Sequence, residues 1–154
     1  MIRGICIEDA ESIRRICEQS LGHETTKQLI CQRIKELSDN SNYYIIVYED
    51  DSSHHVLGFL QAEKYHLLYG DNGWNIIALA VSHDAQKQGI GKQLLLSLEE
   101  YAECIGYSFV RLNCNVIRDD AHAFYLSQGY TCDKTQKRFI KHIACRTNSS
   151  LTSK

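Results

Sequence analysis

The stretch that most restricts how this chain can fold runs from residue 74 to 106: WNIIALAVS, then HDAQKQG, then IGKQLLLSLEEYAECIG. Its first part is an apolar run without clean alternation, which reads as a strand covered on both faces. Its last part puts Ile90, Leu94, Leu95, Leu98, Ala102 and Ile105 on one face of a helix, and Gly106 supplies the stop. A doubly covered strand running through a glycine-bearing loop into an amphipathic helix belongs to a mixed α/β sheet.

The remaining segments fill in that sheet. IRGICIE, residues 2–8, reads as a first strand. Ala10, Ile13, Ile16, Cys17 and Leu21 follow at helical spacing, with Asp9 as a possible cap. Leu29, Ile30, Ile34 and Leu37 repeat that spacing until the polar cluster SDNSN breaks it. YYIIVYED and VLGFLQAEKYHLL are strands joined by DDSSHH, which makes them a hairpin. After the central helix come a strand, SFVRLNCNV, and a short helix, DDAHAFYLSQG, capped by Asp119 or Asp120 and closed by Gly129. YTCD and KRFIKHI read as two final short strands. The sheet is therefore antiparallel at first, with a crossover helix after the fourth strand.

A length of 154 residues fits one domain with a sizeable core. We expect that domain over 1–143 and a polar tail over 144–154. With 44% apolar and 23% charged residues the chain is globular in class. A net charge of −2 leaves no global footprint for nucleic acid or for a polybasic membrane contact, so an anionic partner needs a local positive site. No run of 18 apolar residues occurs, and the apolar start is too short for a signal peptide and is followed at once by acids, which gives a cytoplasmic reading. Seven cysteines (6, 17, 31, 104, 114, 132 and 145) are scattered without a C-x-x-C pair, so no zinc or other metal site is expected and the thiols read as reduced and mostly buried.

The loop between strand and helix carries the chemistry. A nucleotide-triphosphate loop of the G-x-x-x-x-G-K-[ST] kind needs glycine where Gln86 stands and a hydroxyl where Gln93 stands. A dinucleotide loop needs a third glycine where Leu94 stands. What remains is Q-x-x-G-x-G opening a long helix. The first N–H groups of such a helix are unpaired and its positive dipole end faces the loop, so the place suits an anion. Gly89 and Gly91 allow close backbone approach, and Gln86, Gln88 and Lys92 add donors.

Gln86-Lys87-Gln88-Gly89-Ile90-Gly91 matches [QR]-x-x-G-x-[GA], and Ala121, Phe124, Tyr125, Gly129 and Tyr130 match A-x-x-[FL]-Y-x-x-x-G-[FY]. With the strand order, this combination resembles the GCN5-related N-acetyltransferase (GNAT) family, from residue 1 to about 143. The resemblance implies an α/β GNAT fold: a mixed, mostly antiparallel sheet of about seven strands with four helices, splayed between strands four (74–82) and five (108–116). It implies acetyl-CoA as co-substrate and a primary amine as acceptor, without a metal. Loop 86–91, with Lys92, would hold the pyrophosphate. Leu79, Ala80 and Val81 would pair with the pantetheine arm as an added strand pairs with a sheet edge, and a backbone N–H near Leu79 or Ala80 would meet the developing oxyanion. Tyr125, a phenol of ordinary pKa about 10, matches the position of the general acid.

Two positions depart from the family pattern. Many members carry a basic Glu on strand four, where this chain has Ile77 and Ala78; Glu63, His66, His83, His122 or a water relay are the substitutes. Many members carry Asn where this chain has Arg118; Arg118 would contact a phosphate or the strand end, and Asn113 or Asn115 would take the pantetheine contact. The acceptor is framed by 8–37, 65–73 and 133–138, and the acids Glu18, Glu24, Glu63 and Asp71 would suit a cationic one. A small amine, an aminoglycoside-like polyamine, a protein N-terminus and a lysine all fit, and paired subunits, common in the family, leave a homodimer open. The alternative function is a coenzyme A-binding sensor or interaction module without catalysis. An ATP-dependent enzyme is disfavoured by Gln86 and Gln93.

Overall fold

The computed structural model describes residues 1–143; the polar tail expected at 144–154, with Cys145, lies outside the described residues. The chain divides into two compact units, Met1–Ile117 and Arg118–Lys154.

In the first unit, β1 (Ile2–Gly4), β2 (Tyr43–Glu49), β3 (Val56–Tyr65), β4 (Gly73–Val81) and β5 (Phe109–Leu112) form one sheet in that order. The first three pairings are antiparallel and the last, β4 with β5, is parallel. A parallel pair needs a crossover, and α3 (Ile90–Cys104) supplies it. α1 (Ala10–Ile16) and α2 (Lys27–Leu37) precede β2.

The two faces of the sheet pack differently. Ile13 and Ile16 of α1 meet Val47, Phe59 and Ala80 on one face. α3 covers the other, where Ile90, Leu94, Leu95, Leu98 and Ala102 are all buried, each of the larger side chains contributing about 1.5–3 kcal/mol of burial. A Cβ on Gly58 would lie 3.0 Å from the Ala80 carbonyl and 3.1 Å from Ile90, so that glycine lets α3 sit close. Ile105, expected on this apolar face, falls past the helix end and is exposed.

β4 carries a bulge. Gln61 pairs with Ala78, but Ala62 pairs with Ile76, so Ile77 is the extra residue. Because side chains alternate, one extra residue exchanges the faces of everything before it. The bulge thereby turns Trp74 toward α3, into an aromatic cluster with Tyr44, Tyr101 and Tyr107, and turns Asn75 to the α1 face.

In the second unit, α4 (Asp119–Ser127) is followed by Gly129 in the left-handed region at φ +88°. Three expectations need correction here and at the N-terminus. The strands expected from YTCD and KRFIKHI do not form, so the described residues hold five strands rather than about seven. Phe139 and Ile140 are both exposed, among Lys137, Arg138 and Lys141, and a short strand with no buried face is not stable by itself. Asp119 and Asp120 do not cap α4; Arg118 holds the cap position and both acids lie in the first turn, where they favour the helix dipole. β1 stops at Gly4 because Ile7–Asp9 coils into a 3-10 turn, and Asp9 accepts from Cys6 N–H at 2.8 Å instead of capping α1. Cys6, Cys17, Cys31 and Cys114 are half-buried and Cys104 and Cys132 exposed, so the thiols are free but not mostly buried.

Candidate active site

The loop expected to bind an anion is built as a strained bend. After β4, His83–Ala85 makes one 3-10 turn, then Lys87 and Gly89 both take left-handed backbone, φ +62° and +82°. A non-glycine residue there costs roughly 1–2 kcal/mol, which the loop bears at Lys87. At Gly89 an added Cβ would meet nothing within 4 Å, so glycine is needed for its φ alone. Gly89 is also the N-cap of α3, and the first backbone bond there runs from Gln93 N–H to the Gly89 carbonyl at 3.0 Å. The amides of Ile90, Gly91 and Lys92 precede that bond and have no carbonyl of their own helix to reach.

The glutamine side chains also hold the backbone of the loop. Gln86 Nε2 donates to the Val81 carbonyl at 3.4 Å, and Gln88 Nε2 to the Asp84 carbonyl at 3.3 Å. Both brace the bend. The Val81 carbonyl also accepts from Ser20 Oγ at 2.7 Å, which ties the π-helical turn Cys17–Leu21 to the end of β4.

β4 runs directly into this loop, and only half of it is paired on the β5 side. The parallel ladder covers Gly73–Phe109 to Ile76–Leu112 and stops at the bulge. Residues 77–81, including Leu79, Ala80 and Val81, have no strand on that side among the described residues. β5 is correspondingly shorter than the expected 108–116.

The candidate bases are now distinguishable. Glu63, inside β3, accepts from Asn75 Nδ2 at 2.9 Å. His66 Nε2 lies 2.7 Å from the Tyr107 hydroxyl, a phenol whose pKa is pushed up by burial and by the nearby Tyr101. His83 is exposed, with Nδ1 3.7 Å from Asp84. Asn113 accepts from Arg111 Nη2 at 2.9 Å, and the Asn115 side chain accepts from Ile117 N–H at 3.2 Å. In the second unit, Tyr125 packs edge-on against Phe124 and Tyr130 at 5.2 and 5.7 Å, His122 lies on the same helix, and Arg118 holds its N-cap.

Sequence reasoning missed one constellation. Glu63, Asn75 and Arg111 are register partners across β3, β4 and β5, so three polar residues form a row on one face. The buried Asn75 Oδ1 has no hydrogen-bond partner among the described residues, nor has Trp74 Nε1. The signal was a polar residue in each of three apolar strands, but the bulge that aligns them cannot be read from hydropathy.

A family model described as Acetyltransferase (GNAT) family matches residues 7–130. The chain belongs to that family. It is 30% identical over 157 residues to an aminoalkylphosphonate N-acetyltransferase of Salmonella typhimurium, covering 90% of this chain and 99% of the relative. It is 37% identical over 106 residues to a glucosamine 6-phosphate N-acetyltransferase of Schizosaccharomyces pombe, covering 67% and 93%. Its fold superposes with a TM-score of 0.82 on a structure described as a transcriptional regulator from Bacillus halodurans, at 23% identity over 92% of this chain and 99% of that one. The GNAT fold is thus established, and its sheet is mixed and mostly antiparallel. Among the described residues no group of three or more His, Cys, Asp or Glu is placed to hold a metal ion, and no helix is long and apolar enough to cross a membrane.

Proposed function

We propose that this chain moves an acetyl group from acetyl-CoA to the primary amine of a small molecule. The observation that carries the reading is the succession, along one segment, of a β4 edge at 77–81 that no strand covers on the β5 side and the amides that open α3. An extended arm with a diphosphate at one end needs that succession: ladder partners first, anion donors next. The ladder's stop at Ile76–Leu112 supports a splay of the two strands there.

Acetyl-CoA supplies an acetyl group activated as a thioester. The amides of loop 86–91, with Lys92, hold its pyrophosphate; Leu79, Ala80 and Val81 line its arm, and an amide near Leu79 or Ala80 donates to the carbonyl oxygen as charge builds there. Glu63 is the base we favour, because Asn75 fixes its carboxylate while His66 is tied to Tyr107. Glu63 takes the proton lost by the amine nitrogen as its bond to the acetyl carbon forms and the carbon–sulfur bond breaks. Tyr125, which matches the family's acid position, returns a proton to the departing sulfur. Arg118, at the start of α4, takes a phosphate contact.

The two relatives support a narrower acceptor class. The substrates in their names, an aminoalkylphosphonate and glucosamine 6-phosphate, share an amine and a phosphorus oxyanion on one small molecule. We assign this chain an acceptor of that class. Free thiol release from acetyl-CoA with a panel of amines tests the reading, and Tyr125→Phe should slow it by at least about tenfold at saturating acetyl-CoA. Coenzyme A binding without acetylation of any amine would favour the sensor module instead.

A further inference from the structure

The row Glu63–Asn75–Arg111 bears on how the acceptor is chosen. Arg111 stands on β5 with its guanidinium 4.7 Å from the centre of the Tyr65 ring. Phe109 meets the same ring edge-on at 6.1 Å, and Gly73, the register partner of both Tyr65 and Phe109, leaves room for it: a Cβ there would lie 2.5 Å from the Phe109 ring. The aromatic floor fixes the plane of the guanidinium. One of its N–H groups is used by Asn113 at 2.9 Å, and among the described residues Arg111 has no carboxylate partner. Arginines that are merely structural in this chain look different. Arg3 is forked onto Asp9 and also held by Glu49, and Arg14 bridges Glu11 and Glu18.

We propose that Arg111 is the anion-recognising residue of the acceptor site and that Glu63, two strands away, marks its amine end. The inference rests on the transferase reading for the role of Glu63, but the anion site itself does not need turnover. The spacing suits a short molecule. Two strand separations put the backbones of Glu63 and Arg111 about 10 Å apart, and the Asn75 bond and the Tyr65 ring hold the two side chains over that gap. The charges suit it as well. A phosphate ester without an amine would meet the Glu63 carboxylate, and a plain amine would leave the Arg111 fork unanswered. A zwitterion answers both. A planar fork with fixed orientation is the group that grips phosphonate or phosphate by two parallel bonds.

The probes are 2-aminoethylphosphonate, propylamine as its counterpart without an anion, and methylphosphonate as an anion without an amine. The wild-type chain should favour 2-aminoethylphosphonate over propylamine by at least about tenfold in kcat/KM. Arg111→Gln should erase at least about tenfold of that ratio, chiefly through KM, and Arg111→Lys should restore part of it. Independently of turnover, methylphosphonate added with saturating coenzyme A should show phosphorus NMR line broadening with the wild type that is lost with Arg111→Gln of unchanged melting temperature. If no amine is acetylated but the broadening depends on Arg111, the transferase reading fails and the anion site stands. Equal turnover of the two amines with thiol released, or broadening indifferent to Arg111, overturns the proposal.

Discussion

Asp9 shows how one carboxylate can tie three segments together. Both its oxygens accept from the Arg3 guanidinium at 2.8 Å, one also accepts from Cys6 N–H at 2.8 Å, and Arg3 in turn reaches Glu49 on β2. Burial alone would raise the Asp9 pKa, but the Arg3 fork and the Cys6 amide outweigh it and hold the group below its usual value. A carboxyl held low in the folded state adds stability above its unfolded pKa of about 3.9, and that stability is lost as pH falls through the folded value. The melting temperature of the wild type should therefore drop below about pH 4. Asp9→Asn should cost on the order of 2 kcal/mol at about pH 7, less than a fully buried pair because Arg3 keeps Glu49 and some water. Its melting temperature should approach that of the wild type as the pH reaches about 2.5. Parallel curves across that whole range would show that Asp9 is not the titrating link.

At the scale of elements, what hydropathy records was legible and what one residue of register decides was not. The buried face of α3 was readable because Ile90, Leu94, Leu95, Leu98 and Ala102 repeat with the helical period. The loop was readable because Gly89 must be glycine at φ +82°. The bulge at Ile77 left no trace, since Ile76, Ile77 and Ala78 are interchangeable in an apolar run, yet it decides that Asn75 shares a face with Glu63. The last two strands were read from β-branched and aromatic residues alone, and such residues make a strand only where a partner strand and a buried face exist. Deleting Ile77 tests the bulge. The pairs Ala78–Gln61 and Ile76–Ala62 would then follow one another as in a regular ladder, so Trp74 and Asn75 should keep their partners and faces. We expect the near-ultraviolet circular dichroism of the Trp74 cluster to survive the deletion. Loss of that signal would mean that the extra residue of β4 lies elsewhere.

For the molecule as a whole, ligand linkage weighs the loop against its rivals. A ligand that binds only the folded chain stabilises it by about 2.7 kcal/mol at roughly a hundred times its Kd. For a chain near 150 residues that amounts to a rise in melting temperature of roughly 5–10 °C. Coenzyme A should produce such a rise, and ATP with magnesium a clearly smaller one, because Gln93 stands where a magnesium-binding hydroxyl would be needed. Gly89→Ala separates the fold from the function of the bend. Its Cβ would touch nothing, so its direct cost is the left-handed backbone, about 1–2 kcal/mol, and the unliganded chain should melt a few degrees lower. If the bend relaxes to relieve the added methyl group of that variant, the amides of Ile90, Gly91 and Lys92 turn away together, and the coenzyme A-induced rise should shrink by at least half. A variant that melts lower yet gains as much from coenzyme A as the wild type would place the diphosphate elsewhere, and the open edge of β4 would then have to bind the arm without the helix beside it.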